Sequence, residues 1–461
     1  MTEEVRILAA TCTGHYLFPE ESWGRGLSWN PDAIVAQGTT SDCGPSYLGL
    51  DAPYRGYAGI VHGLRTIILS AKRKGIPFIL STGTPGGGNR QLERSLGWVD
   101  EIAKEGNVRL RIAVIPGELD KEYLKQKIRT GSKIRRLIDT SGLPEYLSEE
   151  DIDKSERIAA QMGPEPIMEA LDLDVDGVIT GRALDVGLHM ALPLKRGLDK
   201  ALAAHMAKTI ECGGLVLEPM IFDSVFAVLR KDHFLVRPTS PSAKCTTVSV
   251  VSHSFYERAD PNREENPGGV LDISDAKYEQ YDEQTVKVSG SRWIPRPYTL
   301  KVEGVRLAGY RTIAICGIRD ERMISCIDSF LEDTRRYTEE KLRPLKPNED
   351  YTLIFRAYGK NGVLGEAEPI KQTKSHELGL IIEGVATEEA VADDVCEAAE
   401  YFVLHMPYPG RLSTAANVAC PYSPMEYGMG PVYVYHIWHL LELDDPCEPF
   451  KIEVREFPRG K

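Results

Sequence analysis

Asp42 in "TTSDCG", Glu118 in "VIPGELD" and Asp185 in "ITGRALDVG" each follow a short apolar run, and Arg182 stands three residues before the last of them. A carboxylate in a partly dry cleft can titrate high enough to exchange protons with a substrate, and two with different pKa values make an acid and base pair. Arg182 adds a planar guanidinium fork suited to gripping a substrate carboxylate; its structural alternative is an ion pair with Asp185 or Asp42. Asp185 also fits a helix cap, and Asp42, with Gly44 two residues on, a turn. His15 in "TCTGHY" is a further candidate for proton transfer, beside a core or surface role. Glu211 in "TIECGG" ends a helix, where the dipole disfavours an acid, so a site role or an ion pair with Lys208 is expected.

Beside these groups stands a run of bare backbone, "FILSTGTPGGGNRQL". Gly86, Gly87 and Gly88 lie between a strand and a helix opening at Asn89, so their amides could cradle an anion at the positive end of the helix dipole, with Ser41 nearby. The alternative is a tight connection needing positive φ. The run is neither a Walker loop nor GxGxxG, so there is no nicotinamide or flavin signature. Mg²⁺ held by Asp42, Glu118 and Asp185 is an open cofactor possibility. No HxH, HExxH or EF-hand spacing occurs, and His436 and His439 in "YHIWH" sit on an apolar stretch that favours packing. Ser41 or Cys43 as nucleophile is the weaker alternative, for lack of an evident local base.

These groups need a scaffold that brings strand ends together. "VRILAAT" (5–11), "AIVAQG" (33–38), "PFILSTG" (77–83), "VRLRIAVIPGE" (108–118) and 177–180 read as strands, with amphipathic helices between them, as at 59–75. That alternation predicts an α/β fold with a mostly parallel sheet and flanking helices, and in such sheets ligands sit beyond the carboxyl ends of the strands. From about Thr246 the pattern turns β-rich and antiparallel, including "TTVSVVSHSFYE", followed by a helix over 321–342. A linker is read at 343–351, dividing the chain into an α/β domain, 1–345, and a small α+β module, 351–461.

The chain has 461 residues, 42% hydrophobic, with a net charge of -13. No basic face offers itself to phosphates, so nucleic acid is not an expected partner. No signal sequence or apolar stretch of about 20 residues is read, so a cytoplasmic, soluble chain away from membranes is expected. Nine cysteines, unpaired in spacing, argue against a disulfide framework or a thiolate zinc site. A homo-oligomer acting on a small anionic substrate is expected.

The phrases "DAIVAQGTTSDCGPSYLG", "KRKGIPFILSTGTPGGG", "ITGRALDVGLHMALPLKRGLD", "KTIECGGLV" and "YRTIAICGIRD" resemble the acyclic terpene utilisation AtuA family. The tail from Tyr351, with "RAYGKNGVLGE", resembles the small ferredoxin-like AtuA-associated domain, here fused. After the first strand, "TCTGHYLFPEE" departs from the glycine-rich turn and acid associated with the family. The resemblance implies breakdown of organic acids or branched terpenoid acids. A lyase is the leading expectation, adding or removing water or ammonia next to a carboxylate or acyl-CoA thioester. Alternatives are an acyl or CoA-ester hydrolase, or a non-catalytic subunit of a larger catabolic complex.

Overall fold

The computed structural model describes residues 4–10, 19–52, 57–139, 142–414 and 417–459. His15 lies outside the described residues. Five strands form the parallel heart of the fold: β1 (Glu4–Ala9), β2 (Ala33–Ala36), β3 (Phe78–Ser81), β4 (Leu110–Ile115) and β5 (Gly177–Thr180). They lie in the order β1-β2-β3-β5-β4, every neighbouring pair parallel. All residues of β2, β3 and β5 are buried, as strands covered on both faces must be. Helices Tyr57–Lys74 and Asn89–Glu105 contribute Ile67, Leu96 and Ile102 to one core layer. Helices Asp185–Lys195 and Lys200–Ile210 contribute Ala191, Ala203 and Met206 to another.

The sheet continues antiparallel beyond β1 through Val225–Arg230, His233–Pro238, Val286–Ser289 and Lys277–Gln280. At its other edge Glu453–Phe457 pairs antiparallel with β4, which makes ten strands in all. The expected α/β class is met at this level, but the sheet is mixed rather than mostly parallel: among the described residues four of its pairings are parallel and five antiparallel. One segment differs: 247–255, expected as strand, is a helix. Its start is fixed by a capping box, in which the Ser249 amide donates to Thr246 Oγ1 and the Thr246 amide to Ser249 Oγ. These local bonds outweigh the β-branched composition.

The chain divides into two compact units, 1–306 with 435–461, and 307–434. The division expected at 345/351 therefore falls inside the second unit. The reason is the strand Thr299–Ile318, whose later half pairs with Leu378–Ala386 and so carries 310–318, with the helix that follows, into the same core as 351–386. In element order the second unit runs strand, helix, strand, strand, helix, strand, and in space the strands lie fourth, first, third, second. Among the described residues no helix is long and apolar enough to cross a membrane.

Candidate functional site

The carboxyl ends of the parallel strands are knitted together by their own backbone. The Thr40 amide donates to Pro85 O at 2.9 Å, Thr82 to Thr180 O at 2.9 Å and Arg182 to Gly87 O at 3.1 Å. Such closeness explains the glycines. Gly87 has φ 64°, and a Cβ there would stand 2.6 Å from the Arg182 amide nitrogen. A Cβ on Gly86 would stand 2.7 Å from Tyr47 backbone, and one on Gly88 would run into the Asp51 carboxylate.

The amides at the start of helix Asn89–Glu105 do hold anions, and those anions are the chain's own. Asn89 N–H donates to Glu118 Oε1 at 2.6 Å, Arg90 N–H to Asp51 Oδ2 at 2.8 Å and Gln91 N–H to Asp51 Oδ1 at 3.2 Å. The Gly87 amide donates to Gln91 Oε1 at 2.9 Å. Arg157 completes the group, its Nε 3.6 Å from Asp51 and 3.9 Å from Glu118. Burial raises the pKa of Glu118 and the neighbouring Asp51 adds to it, while the Asn89 amide and Arg157 oppose. A helix start filled in this way has its negative charge supplied from within.

One strand over, Arg182 is 3% exposed and lies against Glu303, 2% exposed, at Nε to Oε2 3.2 Å. Its Nη1 donates to Ala183 O at 2.7 Å and Thr39 O at 3.3 Å, and reaches Asp185 Oδ1 at 3.4 Å. Nε and Nη1 carry all of these bonds. Burial alone would lower the Arg182 pKa, but Glu303 and Asp185 outweigh it and hold the guanidinium charged. Burial would likewise raise Glu303, yet Arg182 and Lys301 pull it below the ordinary carboxylate range. Of the two ion-pair partners expected for Arg182, Asp185 lies at 3.4 Å, while the nearer partner, Glu303 at 3.2 Å, was not among them.

Asp185 starts helix Asp185–Lys195. Its Oδ1 accepts from Gln37 Nε2 at 2.8 Å as well as from Arg182. The carboxylate lies deep among protein groups, yet 40% of the side chain remains reachable. Burial raises its pKa against the pull of Arg182. Lys301 approaches from the strand Thr299–Ile318, with Nζ 3.3 Å from Glu303 Oε1 and 3.9 Å from the centroid of Trp438. Burial lowers the Lys301 pKa and Arg182 adds to that, against Glu303. Tyr435, half-buried, has its phenol pushed up by burial and by Glu303, with Asp42 adding to this and Arg182 opposing it.

Glu211 is buried and bonded to Lys208 Nζ at 2.6 Å, the expected ion pair. Its second oxygen has no partner among the described residues, and burial, reinforced by Asp185, holds its pKa well above the ordinary range against Lys208. Asp42 is exposed, with its amide donating to Thr40 Oγ1 at 3.1 Å, while the Ser41 carbonyl accepts from the Gly44 amide at 3.0 Å. That is the turn geometry its sequence allows. Asp42, Glu118 and Asp185 do not converge: among the described residues no group of three or more His, Cys, Asp or Glu could hold a metal ion. His436 and His439 lie on a strand, with Nε2 of His436 3.0 Å from Ser155 Oγ and that of His439 3.1 Å from Pro144 O, which is packing.

Sequence reasoning missed Gln37, Asp51, Lys301, Glu303 and Tyr435. A signal existed for two of them: Lys301 and Glu303 are two apart in "YTLKVEGV", the spacing that puts both on one face of a strand. No curated protein and no solved structure matches the chain. The family model described as acyclic terpene utilisation family protein AtuA matches residues 49–429, running on past 351 through most of the second unit. The matched span covers well over half of the chain, which therefore belongs to the acyclic terpene utilisation AtuA family.

Proposed function

We propose that the chain is a lyase-type enzyme of organic-acid or branched terpenoid-acid catabolism, with its reaction centre at Asp185. The observation that carries this reading is the state of that carboxylate: bonded through Oδ1 to Gln37 and Arg182, raised in pKa by burial, and still 40% reachable. A carboxylate so tuned suits removal of a proton from the carbon beside a carboxylate or thioester. Nη2 of Arg182, which takes part in none of the bonds described above, is the donor for the substrate's anionic oxygen. Lys301, lowered in pKa and paired with Glu303, is the group that hands a proton to the departing hydroxyl or amine in this reading. The family's name supports terpenoid or related acids as substrates. The element order of the second unit supports reading it as ferredoxin-like, with its first strand and helix at 307–341.

The test is exchange of solvent deuterium into the carbon next to the acid group. Branched unsaturated acids and their CoA thioesters are incubated with the protein in D₂O and followed by NMR. Exchange or hydration by the wild-type chain, lost in Asp185→Asn at unchanged melting temperature, supports the reading. Equal exchange by both proteins defeats it.

A further inference from the structure

A cavity of about 350 Å³ opens on the antiparallel part of the large sheet, away from the strand ends that carry Asp185. Its walls include Trp29, Phe226, Leu235, Arg237 and Tyr281. Trp29 follows helix Glu20–Ser28 and packs edge-on against Phe226, with ring centroids 5.2 Å apart. Two guanidinium groups attend the same indole, that of Arg237 at 3.9 Å and that of Arg25 at 5.1 Å from its centroid. Cations on an aromatic face are commonplace, but two of them on one ring repel each other.

The charge count of this region does not close. Arg6 and Arg230 share the single carboxylate of Glu4, through Nε bonds of 2.8 and 3.0 Å. Arg25 spends its donors on Gln284 Oε1 at 3.0 Å and Thr239 O at 3.4 Å, neither of them charged. The remaining acid, Asp282, accepts from the Gln284 amide at 2.8 Å and from Thr285 Oγ1 at 2.9 Å. Arg237 Nε is buried with no hydrogen-bond partner among the described residues. Four arginines thus face two carboxylates on a chain whose net charge is -13. Burial and the nearby Arg25 both press against the charged form of Arg237, and Asp282 opposes them only in part. A last-turn position accounts for Arg25, since cations suit helix C-termini. It does not account for a buried arginine donor aimed at nothing.

We propose that this cavity binds a small organic carboxylate, gripped by the fork of Arg237 and laid with its flat or apolar body against Trp29, Phe226, Leu235 and Tyr281. A carboxylate matches the two-donor edge of a guanidinium and supplies the missing negative charge. The volume lies at the small end of the range for ligand pockets, which fits a molecule of benzoate size.

Benzoate and its neutral counterpart benzamide are titrated into the full chain by calorimetry and by tryptophan fluorescence. Benzoate is expected to bind and to change the fluorescence, with benzamide at least about tenfold weaker. Arg237→Gln is expected to weaken benzoate by about tenfold or more, and Trp29→Phe to abolish the fluorescence change. Asp185→Asn, which alters the strand-end site, should leave this binding untouched. Should Arg237→Gln lower the melting temperature, Tyr281→Ala at the exposed rim gives a second reading and should weaken benzoate severalfold in a folded protein. Equal affinity for benzoate and benzamide, full affinity in Arg237→Gln, or no benzoate binding up to about 10 mM overturns the proposal.

Discussion

Two clusters of carboxylates and arginines sit at neighbouring strand ends, built from the same kinds of residue, and they end in different states. Around Asp51 and Glu118 the polar groups close on one another: three helix amides and Arg157 face two carboxylates. Around Arg182 the closure is partial. Glu303 neutralises the guanidinium, and Asp185 is left with a raised pKa and an open flank. The glycine-rich turn before helix Asn89–Glu105 looks like a ligand cradle in sequence, yet it belongs to the closed cluster. The difference teaches that the deciding question is which donors and acceptors the protein has already paired for itself.

That contrast can be broken at several points. The largest effect is expected from Asp185→Asn, which should reduce turnover by roughly 10² to 10⁴, the range for loss of a proton-transfer group, with little change in melting temperature. Arg182→Met should cost about 3–5 kcal/mol in urea unfolding, because it strands Glu303 as a buried charge. Adding Glu303→Leu should recover much of that loss, and strict additivity of the two would mean that the pair is not coupled. Asp51→Ala should cost about 2–3 kcal/mol by orphaning the Arg90 and Gln91 amides and weakening the hold on Arg157. Its effect should be on stability alone in the chemical-denaturation readout, the signature of the closed cluster.

The smallest effect concerns pH. His189, one turn into the helix that Asp185 begins, is buried with Nε2 unpartnered among the described residues, and burial lowers its pKa from 6.5 to about 4. The unfolded chain takes up this proton below about 6.5 and the folded one only near 4, so the stabilisation is complete above 6.5 and is lost as pH falls through that window. His189→Leu should flatten the acid limb of stability by up to about 1.4 kcal/mol per pH unit. An unchanged slope would mean the ring does not titrate in this way.

Much of the scaffold could be read from the chain because short apolar runs bounded by glycine and proline announce buried strands, and the rule that ligands gather at their carboxyl ends singled out Arg182, Asp185 and Glu118. What stayed hidden depended on partners remote in sequence. Glu303 lies 121 residues from the arginine it neutralises. Asp51, at φ 47° after a short helix, gives no local hint that it caps a different helix 39 residues on. The strand expected at 247–255 shows the opposite failing, in which composition spoke for β and a four-residue cap decided for helix. The start of the second unit is not legible in the sequence, because a strand of 20 residues spans residues 299–318 and leaves no punctuation at 306/307.

The pairing of Glu453–Phe457 with β4 has a consequence for biosynthesis. As the polypeptide leaves the ribosome, Leu110–Ile115 must wait with one side unzipped until residue 453 has been translated. During that interval it is a template for stray strands from other nascent molecules. Products that stop at residue 345 would keep that rim bare for good and should be found in the pellet.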